Sequence, residues 1–442
     1  MLLIKNGWLI THNQDQKVIK DGSLIIEDNL VKEVGSTAEL IDKYDYTRVI
    51  DAKGKVVMPG LINTHMHFYS TFARGMALKD PPPQNFKQIL ERLWWRLDKQ
   101  LTEEDIYYST LIPLIESIRA GTTTVIDHHA SPNSVTGSLQ IIAEAIEKVG
   151  LRASLSYEVS DRDGREIALK GIEENISFIK ACQKREDDML HSLFGLHASM
   201  TLSDQTLEKC REGISGLDVG FHIHTAEGFQ DVEDSLKHSG LRVVERLDQF
   251  DIWNEKSLAV HCVHINEKEM DILKDRGSKV VHNPASNMNN AVGSANIKTM
   301  LEKGLVVGLG TDGITSDMFE SIKVTNLLHK HSLNDPSAFW EEVPQMIFNN
   351  NRQILSEYLE NNIGQLRSGS YADLIITDYD PPTPINQSNY YSHILFGLSG
   401  GRVLTTIVNG KVVMKDREIL GVDLDRVYAR SRELADKLWS RF

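Results

Sequence analysis

Cysteine, basic charge and long apolar runs are all scarce in this chain, and each scarcity excludes a class of protein. Three scattered cysteines (Cys182, Cys210 and Cys262) exclude a disulfide framework, so we expect a reducing, cytoplasmic location. The formal net charge of −14 excludes the basic footprint of a general nucleic-acid binder and disfavours anionic membrane surfaces. No apolar run approaches a membrane span in length, and the first residues do not have the pattern of a signal peptide.

The length and the hydrophobic content predict a globular protein with a large core. With 442 residues, 41% of them hydrophobic, we expect one large domain and one small domain. Both ends of the chain carry short alternating strands with Asn-Gly, Asp-Asn and Lys-Gly turns, which are typical of β-hairpins. We therefore predict a small β-sandwich domain assembled from residues 1–57 and 364–442.

The middle of the chain alternates apolar runs with amphipathic helical segments, which predicts a parallel sheet in an α/β fold. Eight βα units that close on themselves form a (β/α)8 TIM barrel, and we predict this fold for residues 58–363. A doubly wound open sheet is the alternative, but it does not require a polar residue at the end of nearly every strand. The eight apolar runs are residues 57–64, 123–127, 152–158, 193–197, 219–224, 258–261, 279–282 and 306–311.

Side chains that commonly bind metals end four of these runs. His65 and His67 follow the first run, His224 ends the fifth, His261 the sixth and Asp312 the eighth. Residues i and i+2 of a strand share a face, so His65 and His67 can hold one ion together. The active site of a TIM barrel lies at the C-terminal ends of its strands. We predict that His65, His67, His224 and Asp312 bind a divalent metal, with Zn²⁺ favoured and Fe²⁺ or Mn²⁺ as alternatives.

A second His-x-His motif precedes a glutamate that is placed to move protons. We assign His224 as the ligand because Glu227 follows it by three residues, and we interpret His222 as a packed, hydrogen-bonded histidine. Glu227 can reach a metal-activated water without being a ligand, as a proton shuttle requires. His261 either completes the ligand set or hydrogen-bonds the water and the developing oxyanion. Asp312 can also accept a proton from the water.

Other residues at strand ends have open roles. Two-metal barrels commonly bridge their ions with a modified lysine on the fourth strand, but here that run reads LFGLHASM, so we expect one metal ion. His197 in this run is either a substrate contact or a structural histidine. His128 and His129 are either substrate contacts or one buried and one exposed histidine. The Pro-rich residues 79–84 predict a lid or a pocket wall, and Trp94 and Trp95 either stack on a heterocycle or pack in the core.

The motifs PGLINTHMH, HTAE, LAVHC, HNPASNMNN and GLGTDG together resemble the amidohydrolase superfamily. Within it, the chain looks similar to the branch of cytosine, guanine and S-adenosylhomocysteine deaminases and triazine chlorohydrolases, and the resemblance covers essentially the whole chain. It implies the ligand set given above and a proton shuttle at Glu227. It also implies that His261 orients the hydroxide and that His197 and Asn287 contact the substrate.

Two segments depart from known subgroups of this branch. Guanine deaminases tend to carry a glutamine shortly after the first histidine pair, where this chain has Phe68, Tyr69 and Ser70. Residues 314–317 are shorter than the polar stretch that adenosylhomocysteine-type deaminases carry after Thr-Asp-Gly. These departures disfavour guanine and leave the nature of the heterocycle open.

The sequence therefore predicts a metal-dependent aminohydrolase that deaminates a small cyclic C=N substrate, such as a purine, a pyrimidine or a related heterocycle. Purine catabolism is the expected process, and the only expected partners are this substrate and, in a homodimer, a second copy. A cyclic amidohydrolase that opens an imidazolone- or hydantoin-like ring is the alternative, and only deamination releases ammonia. A catalytically silent scaffold is disfavoured because the whole ligand set and Glu227 are present.

Overall fold

The computed structural model describes residues 1–13 and 15–442, and its central feature is a closed barrel of parallel strands. Within these residues, a five-stranded and a four-stranded parallel sheet are joined by bridges between Met66 and Asp312 and between Val159 and Leu196. The predicted TIM barrel is confirmed. Its strands, numbered one to eight below, are Leu61–Met66, Thr122–His129, Arg152–Tyr157, Phe194–Ala198, Phe221–Thr225, Leu258–His261, Lys279–His282 and Val307–Leu309, with a short strand Leu190–Ser192 beside the third.

Helices on the outside cover these strands, which is why the strands are almost continuously apolar or buried. Every residue of the second strand, Thr122–His129, is buried. Among the described residues, no helix is long and apolar enough to cross a membrane. The helices between the strands and after the eighth are Glu103–Arg119, Ser138–Val149, Arg165–Cys182, Asp204–Gly213, Phe229–Ser239, Val243–Gln249, Glu267–Asp275, Pro284–Asn289, Ile297–Glu302 and Met318–Leu333.

Strands from both ends of the chain form one further sheet, as predicted for the small β-domain. The strands from the N-terminal end of the chain join those from the C-terminal end where Val56–Pro59 pairs antiparallel with Leu374–Thr377. The domain bounds 1–57 and 364–442 stay a prediction. Among the described residues the sheet has nine strands, which are Leu2–Ile10, Val18–Glu27, Leu30–Ser36, Arg48–Asp51, Val56–Pro59, Leu374–Thr377, Val403–Val408, Lys411–Lys415 and Glu418–Ile419.

The last helix, Leu424–Arg441, packs against helical segments that lie within residues 58–363. The indole N–H of Trp439 donates to the carbonyl of Phe72 at 2.7 Å, and Arg441 pairs with Asp105 at 2.7 Å. Shorter helical segments are Thr37–Leu40, Phe68–Ala73, Phe86–Ile89, Leu90–Trp94, Trp95–Gln100, Ser199–Thr201, Glu342–Pro344, Gln345–Asn350, Asn351–Ser356, Tyr390–Gly397 and Gly400–Arg402.

A buried ion pair links the barrel to the sheet. Arg152 begins the third barrel strand, Asp373 precedes Leu374–Thr377, and both side chains are only 1% exposed. Nε and Nη2 of Arg152 each lie 3.2 Å from Oδ2 of Asp373, and the guanidinium lies 4.3 Å from the centre of the Tyr371 ring. Because both charges are removed from water, each needs the other to offset its desolvation.

The interdomain ion pair gives a stability prediction. Asp373→Ala leaves Arg152 buried without its carboxylate, so we expect the free energy of unfolding to fall by about 3–5 kcal/mol in urea denaturation. As a control, Glu166→Ala removes the exposed pair between Glu166 and Lys170, and we expect a change within about 0.5 kcal/mol. Similar small losses in both variants would show that the buried pair does not hold the two parts together.

Candidate metal centre

Side chains from the C-terminal ends of barrel strands one, five, six and eight converge at the barrel mouth. Nε2 of His67 lies 3.2 Å from Nε2 of His224 and 3.4 Å from Oδ1 of Asp312. Nε2 of His65 lies 3.9 Å from Oδ1 of Asp312, and Nε2 of His261 lies 3.5 Å from its Oδ2. The structure therefore brings the four predicted ligands and His261 into one cluster.

Hydrogen bonds behind two of these rings direct their lone pairs into the cluster. Nδ1 of His67 lies 2.6 Å from the carbonyl oxygen of His128, and Nδ1 of His224 lies 2.9 Å from that of His197. A carbonyl oxygen only accepts, so both rings carry their proton on Nδ1 and a lone pair on Nε2. Two lone pairs that face each other across 3.2 Å repel unless a cation lies between them. This arrangement fits a pair of metal ligands.

His222 fixes the remaining histidine ligand, His65, through a relay of hydrogen bonds. The hydroxyl of Ser156 donates to the carbonyl of Asp127 at 3.2 Å and accepts from Nδ1 of His222 at 3.2 Å. Nε2 of His222 then accepts the Nδ1 proton of His65 at 2.9 Å. Nε2 of His65 is buried, has no hydrogen-bond partner among the described residues and faces the cluster. His222 is thus the buried, hydrogen-bonded histidine that the sequence analysis preferred.

Asn287 orients His261 in the same way. Its Oδ1 accepts from Nδ1 of His261 at 2.8 Å, which leaves a lone pair on Nε2, 3.4 Å from Oε2 of Glu227. Asn287 is fully buried in Pro284–Asn289 and is absent from the cavity wall that the described residues form. The structure therefore gives Asn287 a positioning contact with His261. The substrate contact that the resemblance implied stays a prediction, because the amide nitrogen of Asn287 has no hydrogen-bond partner among the described residues.

The backbone is strained where it presents these side chains. His261 has φ 71° and Asp312 has φ 55°, in the left-handed region that non-glycine residues rarely adopt. The N–H groups of Thr311 and Asp312 both donate to the carbonyl of His65 at 3.0 Å, which holds the eighth strand against the first. Such strain costs on the order of 1–3 kcal/mol per residue and concentrates at functional sites.

The two acidic groups of the cluster have different electrostatic environments. Burial raises the pKa of Glu227 to about 7, and His261 partly opposes this effect. A carboxyl group with a pKa near 7 both takes up and releases a proton at neutral pH. Burial also acts to raise the pKa of Asp312, but His67 and His261 hold it below its usual range. Asp312 is therefore ionised at neutral pH, as a metal ligand must be.

The histidine ligands are neutral for a related reason. Burial lowers the pKa of His65, His67 and His224 below its ordinary value, so the charged imidazolium forms are disfavoured. Metal ligands must be deprotonated at the ligating atom, and these rings meet that condition at neutral pH. Three neutral imidazoles and one carboxylate are a donor set that suits Zn²⁺, Fe²⁺ or Mn²⁺.

The cluster opens into a cavity with an aromatic wall. Tyr69, Phe86, Trp94 and Trp95 line it, together with Leu90. These residues come from the helical segments that follow the first strand. None of the described lining residues belongs to the Pro-rich segment 79–84, so the helices after that segment, and not the segment itself, form the wall. The Trp pair faces the cavity, as the stacking interpretation required.

The structure also shows several cavity residues to which the sequence analysis assigned no role, and Glu158 is one of them. Glu158 follows the third barrel strand, its side chain is 2% exposed, and its Oε1 lies 3.3 Å from Nδ1 of His67. The available signal was a charged residue at the end of a buried run. His197 lines the cavity, as a substrate contact requires. His128 and His129 are both buried, so the alternative with one of them exposed is wrong.

The relay behind His65 gives a prediction about metal affinity. His222→Ala removes the acceptor that fixes the His65 tautomer, so we expect metal affinity to fall about 10- to 100-fold, as is usual for such supporting residues. His65→Ala removes a ligand itself and should lose most bound metal. Metal titration by competition with a chelator measures both variants. Wild-type affinity in His222→Ala, or stoichiometric metal in His65→Ala, would contradict the assignment.

The comparisons with known proteins agree with this site. A family model described as "Amidohydrolase family" matches residues 56–413. A 5'-deoxyadenosine deaminase of Methanosarcina mazei is 35% identical over 446 residues, which cover 100% of this chain and 99% of that protein. A 5-methylthioadenosine/S-adenosylhomocysteine deaminase of Pelotomaculum thermopropionicum is 32% identical, with coverage of 100% and 99%.

A solved structure shows the same fold. The crystal structure of an adenosine deaminase from Xanthomonas campestris with bound zinc has a TM-score of 0.87 at 23% identity, covering 99% of this chain and 98% of that one. At this identity the likeness shows the fold alone. The family match and the full-length relatives go further: this chain belongs to the amidohydrolase family and is a hydrolase that acts on carbon–nitrogen bonds.

Proposed function

We propose that this protein is a metal-dependent deaminase of an adenine nucleoside that is modified at its 5' position. The observation that carries the proposal is the cluster itself. Lone pairs of His65, His67 and His224 meet the ionised carboxylate of Asp312 beside Glu227, at the end of a cavity with an aromatic wall. Relatives that match the whole chain are named as deaminases of such nucleosides, which supports the substrate class.

One divalent ion, Zn²⁺ by preference, completes the proposal. His65, His67, His224 and Asp312 would hold it, and Fe²⁺ and Mn²⁺ suit the same donors. The fourth barrel strand carries His197 and no lysine, which supports one ion and not two. The zinc in the adenosine deaminase of the same fold also supports this choice. When bound, the ion would lower the pKa of a coordinated water toward ~7.

The chain's own residues supply the proton transfers. Glu227 takes a proton from the attacking water and delivers it to the ring nitrogen next to the reacting carbon. Nε2 of His261, held by Asn287, accepts a hydrogen bond from the same water and orients it. The ionised carboxylate of Asp312 accepts the second proton of the water and returns it to the leaving amine, which departs as ammonia. Water is consumed, and the C–NH₂ group becomes a ring carbonyl.

Several observations bear on the nature of the substrate, and they do not all favour the same one. The short stretch at residues 314–317 disfavours a nucleoside of the adenosylhomocysteine type. The full-length relatives at 35% and 32% identity favour adenine nucleosides, and we give this evidence more weight because it covers the whole chain. Phe68, Tyr69 and Ser70 disfavour guanine. Trp94 and Trp95 in the cavity wall suit a flat heterocycle.

Location and assembly belong to the same proposal. Cys182, Cys210 and Cys262 are all free thiols in the structure, which supports the reducing cytoplasm as the site of action. Association into a homodimer stays a prediction.

The first experiment is an ammonia assay on metal-loaded protein with 5'-deoxyadenosine. We expect one ammonia per substrate consumed, loss of activity with a chelator, and recovery when Zn²⁺ is added. Product without ammonia across a panel of purines, pyrimidines, pterins and cyclic amides would favour the ring-opening alternative. No turnover of the panel by protein with stoichiometric metal would contradict deamination of this substrate class.

The role of Glu227 has its own test. Glu227→Gln keeps the shape of the side chain but cannot carry a proton, so we expect turnover to fall at least ~10²-fold while bound metal stays stoichiometric. Metal analysis and steady-state kinetics on the same preparation give both values. Turnover near that of the wild type would reject the shuttle role, and loss of metal would make Glu227 a ligand.

A further inference from the structure

Two polar atoms on one helix of the cavity wall lack hydrogen-bond partners, and they do not belong to the metal centre. Oδ1 of Asp98 and Nε1 of Trp95 are both buried without a partner among the described residues. Both side chains line the cavity. They lie three positions apart in the helix Trp95–Gln100, so they share one face of it. One atom accepts a hydrogen bond and the other donates one, so the wall presents a complementary pair.

Arg162 engages one oxygen of Asp98 and leaves the other. Nη2 of Arg162 donates to Oδ2 of Asp98, whose side chain is only 1% exposed. Burial raises the pKa of Asp98, and the guanidinium, which is always protonated, opposes this effect. Arg162 lines a neighbouring cavity and is not among the described residues that line the cavity of the metal centre. Oδ1 of Asp98 is therefore the oxygen that remains for a ligand in that cavity.

Few chemical groups satisfy both atoms at once. A hydroxyl can donate its proton to Oδ1 of Asp98 while its oxygen accepts from the indole N–H of Trp95. A ring nitrogen without hydrogen, or a carbonyl oxygen, accepts from Trp95 but donates nothing to Asp98. A carboxylate or a phosphate would be repelled by Asp98, and an ammonium group cannot accept from Trp95. A single uncharged hydroxyl is therefore the simplest group that fits the pair.

The pair lies at the distance from the metal centre where the sugar of a nucleoside would be. The ring centres of the ligand His224 and of His197 are 5.6 Å apart, and those of His197 and Trp95 are 6.0 Å apart. Trp95 is thus two ring contacts away from the metal ligands. In an adenine nucleoside, the reacting carbon and the nitrogen that bears the sugar belong to different rings of the purine. A substrate that reacts at the metal therefore extends its sugar, and not its reacting ring, toward Trp95.

We infer that Asp98 and Trp95 together bind one secondary hydroxyl of the sugar and so select a nucleoside over a free base. The hydroxyl donates to Oδ1 of Asp98 and accepts from Nε1 of Trp95, which gives both buried atoms a partner. This inference rests on the proposed function and deepens it, since it assigns the sugar of the substrate to two named residues. The metal ligands and Glu227 act on the heterocycle and take no part in this contact.

Substrate analogues that lack one hydroxyl test the contact. Zinc-loaded wild type, Trp95→Phe and Asp98→Asn are assayed with 5'-deoxyadenosine and with its 2'-deoxy and 3'-deoxy analogues. For one analogue we expect kcat/KM of the wild type to fall about 10- to 100-fold, as the loss of a hydrogen bond to a charged group predicts. Trp95→Phe keeps an aromatic ring but has no N–H, so this penalty should shrink at least about 3-fold. Asp98→Asn should also shrink it, because a neutral amide oxygen is a weaker acceptor than a carboxylate.

Two further measurements and one control accompany the kinetics. Zinc content should stay stoichiometric in both variants, because neither residue belongs to the ligand cluster. Calorimetric binding of the deaminated product to the wild type should weaken at least about 10-fold when the same hydroxyl is absent. Trp253→Phe is the matched control, since Trp253 is 2% exposed and its indole N–H donates to the carbonyl of Val244 at 3.1 Å. Its loss should lower stability and leave the hydroxyl penalty at the wild-type value.

The outcomes separate this inference from the proposed function. If the wild type deaminates 5'-deoxyadenosine but loses less than about 3-fold on either analogue, the pair binds solvent and the inference is wrong, while the proposed function stands. A penalty that Trp95→Phe leaves unchanged would show that other residues hold the hydroxyl and would also overturn it. Trp95→Phe alone decides this point if Asp98→Asn, which leaves Arg162 without its counter-charge, does not fold. If the wild type neither binds nor turns over 5'-deoxyadenosine, the proposed function fails and this inference fails with it.

Discussion

The mutual repulsion of three imidazole lone pairs and one carboxylate is the constraint on which the rest of this structure depends. Side chains with this arrangement would rotate away from one another in a flexible loop. Here each ring is fixed from behind: His67 and His224 by backbone carbonyls, and His65 by His222. The barrel strands supply those carbonyls at fixed spacing. The fold therefore holds these groups in positions where they repel one another, and a bound cation would relieve that repulsion. Because the side chains are already in place, a metal can bind without first ordering its ligands.

The same requirement explains the polar interior beneath the site. Burying an apolar core would cost less free energy than burying the hydrogen-bonded relay that runs from Asp127 through Ser156 and His222 to His65. The relay persists because every member has a partner, so burial leaves few uncompensated groups along it. The left-handed backbone at His261 and Asp312 is a second local cost. Both costs fall at strand ends, where the hydrogen-bonded barrel holds the backbone from either side.

The features that follow from local pattern could be predicted, and those that depend on packing between distant segments could not. Buried parallel strands appear in the sequence as apolar runs. Because the active site of a TIM barrel lies at the C-terminal ends of its strands, these runs predict that ligands up to 247 positions apart, from His65 to Asp312, lie close together. The contact of Asn287 with His261 could not be predicted, because it depends on how the helix Pro284–Asn289 packs. The contact of Trp439 with Phe72 depends in the same way on how the last helix packs. Glu158 was passed over because a charge after a strand also suits an exposed loop.

Two sets of strands contribute different groups of polar side chains to the barrel mouth. Each residue on the metal side hydrogen-bonds a backbone group or another side chain, so a substitution there disturbs the ligand geometry. Glu158, on the other side, has no such tie at Oε1, although the tautomers of two neighbouring rings, His67 and His197, are fixed by other groups. Because Oε1 of Glu158 lies 3.3 Å from Nδ1 of the ligand His67, a change at this position also bears on the metal side. The tautomers of the ligands are therefore fixed by hydrogen bonds within the barrel, whereas the other side of the mouth keeps a buried carboxylate oxygen without a partner among the described residues.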